Sequence, residues 1–322
     1  MSLSRVLLWK ARECFQMITT RERWPELKQA DWADTQQTLH LWTQIAGKIR
    51  LQLEPQVNHW WNVTLYVTPR GLTTSMMPYR DGRFLEIAFD FLAHELRIEG
   101  CDGERAGFAL EPMTVAEFYR RIFDALHELQ FDVRIHGKPN EVTDAIPFAQ
   151  DTVHKSYDRA AVERFWRILL QADRLFKQFR CSFTGKASPV HFFWGSFDLA
   201  TTRFSGRAAP PHPGGFPNMP DAATREAYSH EEYSAGFWPG GSGMEAAFYA
   251  YTYPEPENYA QARVAPADAA WSTALKEFLL PYEAVRASAD PDAAVRAFLE
   301  STYGAAADLA GWDRSALERK TL

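Results

Sequence analysis

The stretch HWWNVTLYVTPRGLT, residues 59–73, decides how the fold is read, because HFFWGSFDLATTRFS, residues 191–205, matches it without a gap. His59 meets His191, Trp60 and Trp61 meet Phe192 and Phe193, Thr64 meets Ser196, Leu65 meets Phe197, Val67 meets Leu199 and Leu72 meets Phe204. Any two amphipathic strands share a period of two, so the flanks must carry the argument. Before the first stretch a helical stripe through Leu39, Trp42 and Ile45 runs into a strand at 49–53. Before the second, Val162, Phe165, Trp166, Leu169, Phe176 and Phe179 run into a strand at 180–183. Downstream, a strand at 84–91 leads to a helix that opens at Thr114 with Glu117 three residues on, a capping box, and carries the stripe Val115, Phe118, Ile122, Leu126 and Leu129. Its counterpart is a strand at 246–253, then a helix through Trp271, Leu275 and Phe278 that stops at Pro281. A last helix opens at Asp290, with Pro291 in its first turn.

The chain therefore reads as an α+β fold of two similar helix, antiparallel sheet, helix units, an internal duplication. The expected division is an N-terminal unit with a leading helix at 1–135, a connector at 136–159 and a C-terminal unit at 160–322. Alternation assigns the faces. His59, Trp61, Val63, Leu65 and Val67 are expected to meet helices in the first unit, as are Phe193, Phe197 and Leu199 in the second. The opposite face of the second sheet then carries Phe192, Trp194, Ser196 and Asp198, continued by Tyr249, Tyr251 and Tyr253. Aromatic surface mixed with small polar groups is the lining of a ligand pocket, and equally of an interface between the two units.

The units differ in one place. Aligning Ile87 with Phe248 leaves an insertion within 205–244, SGRAAPPHPGGFPNMPDAATREAYSHEEYSAGFWPGGSGM. Its Pro and Gly density favours a loop, while Phe216, Tyr228, Tyr233, Phe237 and Trp238 give it apolar anchors. An ordered cover is the reading we adopt, with His212, Asn218, His230 and Glu231 as its polar groups. The connector adds Asn140, Glu141, Asp151, His154 and Tyr157, beside the turn signal Pro139-Asn140.

Composition narrows the class. The chain has 322 residues, 46% of them hydrophobic and 14% aromatic, with a net charge of −6, which is a packed protein without the basic footprint of a nucleic-acid binder. No apolar run reaches the roughly 20 residues of a membrane span. The short run 6–9 is crowded by Arg5, Lys10, Arg12 and Glu13, reads as an amphipathic first helix rather than a signal peptide, and points to the cytoplasm. Cys14, Cys101 and Cys181 are odd in number and far apart, so neither a disulfide framework nor a thiolate zinc site is encoded.

Catalytic templates fail residue by residue. His94-Glu95, His127-Glu128 and His230-Glu231 meet Ile98, Phe131 and Ser234 where HExxH needs its second histidine. Gly185-Lys186 lacks the first glycine and the hydroxyl of a phosphate loop, and no GxGxxG follows a strand, so no nucleotide-binding motif or other cofactor signature is found. Gly195-Ser196 is flanked by Trp194 and Asp198, not by the glycines of a nucleophile elbow.

What remains is a small-molecule site under the 205–244 segment, lined by Trp194, Ser196, Asp198, Tyr249, His212 and Asn218. An enzymatic version uses His230, Glu231 or His154 as acid or base. A metal-dependent hydrolase would take His191, His212 and His230 as ligands. The non-enzymatic alternative is a scaffold whose aromatic surface docks another protein, and a homodimer suits either reading.

The runs NHWWNVTLYV, SPVHFFWGSFDLA, TRFSGR and YSHEEYSAGFWPG resemble an uncharacterised bacterial family, a domain of unknown function, over most of the chain. The resemblance implies no activity, cofactor or catalytic residue.

Overall fold

N-caps and apolar stripes set the helices. Thr114 Oγ1 accepts the Glu117 N–H at 3.1 Å, Asp158 Oδ1 that of Ala161 at 3.1 Å, and Asp290 Oδ1 that of Ala293 at 2.9 Å, each satisfying a donor that the first turn leaves unpaired. The computed structural model describes residues 20–319. The leading helix expected around residues 6–9, and Cys14, lie outside the described residues. The helices are α1 (Thr20–Arg23), α2 (Gln29–Leu53), α3 (Val115–Glu128), α4 (Arg159–Cys181), α5 (Asp221–Ala227), α6 (Tyr282–Ala287), α7 (Pro291–Leu309) and α8 (Arg314–Leu317).

The strands form two antiparallel sheets, as the α+β reading requires. The first contains β1 (Tyr66–Thr68), β2 (Gly71–Thr73), β3 (Met77–Pro78), β4 (Phe84–Asp90), β5 (Glu95–Gly100) and β6 (Arg105–Ala109), ordered β1-β2-β4-β5-β6 with β3 also on β4. The second contains β7 (His191–Phe193), β8 (Asp198–Ala208), β9 (His230–Trp238), β10 (Ala247–Tyr253), β11 (Ala270–Ser272) and β12 (Glu277–Pro281), ordered β7-β8-β9-β10-β12-β11. Leu65 and Phe192 exchange both backbone hydrogen bonds at 2.9 Å, which seams the two sheets edge to edge.

Each sheet buries one face on helices. In the first, Leu85, Ile87 and Phe89 meet the α3 stripe, and Phe118 stacks on Trp42 of α2 at 4.8 Å. In the second, the cross-strand row Leu199, Phe237, Phe248, Leu280 is fully buried, with Phe176 of α4 edge-on to Phe248. Helix α2 lies between the halves, and every residue from 41 to 50 is buried, so this stretch of the helix is enclosed on all sides.

Several local expectations are corrected. Residues 49–53 continue α2, and Arg180 and Cys181 end α4, so neither segment is a strand. The segment Asn58–Val63 is a 3-10 turn in which His59 and Trp60 adopt φ near 59° and 58°, so the start of the match between 59–73 and 191–205 pairs a turn with the strand β7. Trp271 and Phe278 face each other across the β11–β12 hairpin rather than along a helix. The segment 205–244 is loop only in part. Its second half is β9, a central strand whose Tyr233 and Phe237 belong to the core.

Candidate functional site

The face of the second sheet turned away from α4 and α7 is built from small residues. Cross-strand rows run Ala200, Gly236, Tyr249, Leu279 and Thr202, Ser234, Tyr251, leaving room above the sheet where the tyrosines stand. At Gly236 a Cβ would overlap the Tyr249 ring and lie 2.6 Å from the Leu199 carbonyl, so only glycine admits that ring. The Tyr249 hydroxyl donates to Asp198 Oδ2, and Ser196 Oγ donates to Oδ1 at 2.5 Å. Asp198 is 5% exposed. Burial raises its pKa against the lowering effect of these two donors.

Residues 209–229 cover this face. The Tyr228 and Tyr251 hydroxyls pair at 3.0 Å, Tyr253 donates to the Pro210 carbonyl at 3.0 Å, and His212 stacks on Tyr228 at 4.5 Å. The connector is clamped to the cover and to α2 by Asn140. Its N–H and carbonyl pair with the Gln44 amide at 2.8 and 2.9 Å, its Oδ1 accepts from Lys48, and its Nδ2 donates to the Asn218 carbonyl at 2.5 Å. Asn218 returns a bond from Nδ2 to the Val142 carbonyl at 2.6 Å. These bonds hold Glu141 in a left-handed conformation, φ 58°, with its carboxyl against the Cα of Gly195, where a side chain would collide with it. A non-glycine residue held at positive φ costs of order 1–3 kcal/mol, so the network enforces the placement of that carboxyl.

Three further acids thus join Asp198. Burial, reinforced by the Asp198 charge, pushes Glu141 and Glu277 up to about 7. Glu232, 6% exposed, is pushed up to about 8 by burial, against the lowering effect of Lys186. Among the described residues none donates a hydrogen bond to the carboxyl of Glu141, Glu232 or Glu277, and no cationic side chain faces Glu141, Asp198 or Glu277. Burial also raises Tyr228, Tyr249 and Tyr251. Yet Glu141, Glu277 and these three tyrosines remain only half-buried. These groups are therefore desolvated without being sealed from solvent. Two other clefts, of about 520 Å³ beside Arg80 and Asp132 and about 550 Å³ beside Glu117 and Arg120, differ in kind. Their acids are paired with arginine, at 3.6 Å for Asp132 and 2.8 Å for Glu117.

Of the residues expected at the site, Ser196, Asp198 and Tyr249 meet directly, and His212 and Asn218 belong to the cover. Trp194 does not line the hollow. Residues 194–197 form a turn, which breaks strand alternation, places Phe192 in the core and leaves Phe193 beside Asp198. The Trp194 ring instead covers Gly47 of α2 and donates to the Val63 carbonyl at 2.7 Å. Glu231 points to the other face and pairs with Arg207 at 2.6 Å. His230 is half-buried, bonds Ser229 at 3.0 Å and stands edge-on to His59. His154 is oriented by Asp151 at 2.7 Å in the connector.

The described residues do not gather the expected metal ligands. His191 is 1% exposed, shares a hydrogen bond of 2.8 Å with Thr64, and is driven down to about 3 by burial and by the nearby Arg50 and Arg180. Among the described residues no group of three His, Cys, Asp or Glu side chains can hold a metal ion, which separates His191, His212 and His230.

Glu232 and Glu277 were missed. Glu232 is legible by parity once Tyr233 and Phe237 are placed in the core, because alternation puts Glu232, Ser234 and Gly236 opposite. Glu277 is hidden by the helical reading of its hairpin.

The architecture and the site describe an α+β protein with acids and tyrosines clustered on one sheet face. The chain belongs to a family of unknown function, DUF5996, whose model matches residues 24–319. No curated protein and no solved structure matches it. Among the described residues, no helix is long and apolar enough to cross a membrane.

Proposed function

We propose that this protein binds a small molecule in the hollow between the open face of the second sheet and the cover at 209–229. The observation that carries the reading is the set of three desolvated carboxyl groups, buried Glu232 and half-buried Glu141 and Glu277, to which no described residue donates a hydrogen bond. A buried polar group left unpaired costs about 1–3 kcal/mol, and a ligand that supplies the missing donors recovers that cost on binding. Asp198, already oriented by Ser196 and Tyr249, is the fixed acceptor against which the ligand is placed.

A cytoplasmic setting fits the exposed free thiols of Cys101 and Cys181, which a reducing compartment preserves. The test is a thermal-shift screen of a metabolite library on wild type and Asp198→Asn. A hit is expected to stabilise wild type by about 2.7 kcal/mol at 100 times its dissociation constant and to leave the variant unmoved. Equal stabilisation of both proteins by every hit places binding elsewhere and rejects the hollow.

A further inference from the structure

Among the exposed and buried ionisable groups, those of the hollow stand apart because their charges are uncompensated. Asp198 is the oriented member, since Ser196 and Tyr249 both donate to it. Its field reaches Glu141 from the connector, Glu277 from β12, and Tyr228 and Tyr249. Glu232 is more than nine-tenths buried without a hydrogen bond, and its field is felt by Tyr228 and Tyr251 within the same hollow. A cation at the rim, Lys186, faces Glu232 and donates to His59 Nε2 at 2.7 Å.

Building on the small-molecule reading above, we infer that the ligand is an organic ammonium ion, with its charged head between Glu141, Asp198 and Glu277 and its body along the rings of Tyr228, Tyr249 and Tyr251. An ammonium group supplies both what these carboxyls lack, positive charge and N–H donors. The tyrosine faces add cation–π attraction and apolar area. The Tyr249 and Tyr251 rings are nearly parallel, 14° apart with centroids at 6.2 Å, and Tyr228 sits 6.3 Å from Tyr251, so aromatic surface borders the acids. A neutral or anionic ligand leaves the mutual repulsion of Asp198, Glu141 and Glu277 in place.

The test uses two matched trios on the full chain at pH 8: tyramine, tyrosol and 4-hydroxyphenylacetate, and butylamine, butanol and butyrate. Affinity is read by calorimetry, and location by the ring resonances of Tyr228, Tyr249 and Tyr251 in tyrosine-labelled protein. The inference expects an amine of at least one trio to bind at least ten-fold more tightly than its alcohol, the matching carboxylate not to bind, and the three ring resonances to move. The double variant Glu141→Gln/Glu277→Gln is expected to weaken amine binding at least ten-fold while melting no lower than wild type at pH 8. Alcohols or carboxylates that bind as well as the amines and shift the same rings overturn the ammonium inference and leave the pocket standing. Absence of any shift at those rings across both trios overturns the inference, and a metabolite hit that depends on Asp198 then shows that the pocket reading itself survives.

Discussion

Replacing Glu232 with glutamine is expected to stabilise the protein, and only above the pH at which a free glutamate ionises. Glu232 lies on β9, 6% exposed, with no hydrogen bond to its carboxyl, and its pKa rises from 4.5 to about 8. The groups facing it are Lys186, Tyr228 and Tyr251. An acid whose pKa is raised by folding makes no difference below 4.5, where both states are protonated. Between 4.5 and 8 the unfolded chain releases the proton that the folded chain retains, so stability falls; above 8 the loss is complete. At 1.36 kcal/mol per pH unit that interval amounts to about 5 kcal/mol, and local water entry reduces the realised penalty to about 2–4 kcal/mol. Glutamine keeps the shape and carries no charge. Urea unfolding of wild type and Glu232→Gln should show a gain below about 1 kcal/mol at pH 5 that grows to about 2–4 kcal/mol at pH 9. A gain independent of pH, or a loss at pH 9, would refute the reasoning. A loss at pH 9 would mean that Glu232 and Lys186 act as an ion pair whose disruption strands the ammonium.

Two further predictions follow from close packing, beside those for Asp198 and for the amines. Gly47→Ala places a methyl group inside the Trp194 ring and forces it from the Val63 carbonyl; a loss of about 1–3 kcal/mol and a red-shifted tryptophan emission are expected, and unchanged emission refutes the contact. Arg203→Lys is expected to cost about 2–4 kcal/mol in urea unfolding despite its conserved charge. The guanidinium is 2% exposed, lies 3.3 Å from the Phe179 ring centroid and donates to Ser182 Oγ at 2.9 Å and to the Phe179 carbonyl; a neutral outcome refutes the need for its planar fork.

Much of the frame was legible because it rests on local chemistry. The caps at Thr114 and Asp290 are set by side chains a few residues away, and the alternation that puts Asp198 with Tyr249 and Tyr251 depends only on the pleat. Two of the misreadings share a cause: the same spacing serves two structures. Trp271 and Phe278, seven apart, read as one helical face, yet a hairpin also brings them opposite one another. The alternating IRLQL at 49–53 reads as a strand, but it completes α2, whose preceding residues 41–48 are all buried. His59 and Trp60 break the expected strand by taking left-handed conformations, His59 being held by the Ala227 carbonyl at 2.7 Å and by Lys186. Trp194 left its expected face because a turn, invisible to a period-two argument, intervenes before Asp198. Asn140 was recognised as a turn residue, while its bonds to α2 and the cover depend on elements more than 70 residues away in sequence and no local pattern reveals them.

The seam at Leu65 and Phe192 has a consequence for self-association. The strands flanking it, β1 and β7, would each present an unsatisfied border able to recruit a neighbouring chain. By consuming one border with the other, the molecule quenches two adhesive margins with a single pair of amide bonds, and any lesion that parts them would expose both at once.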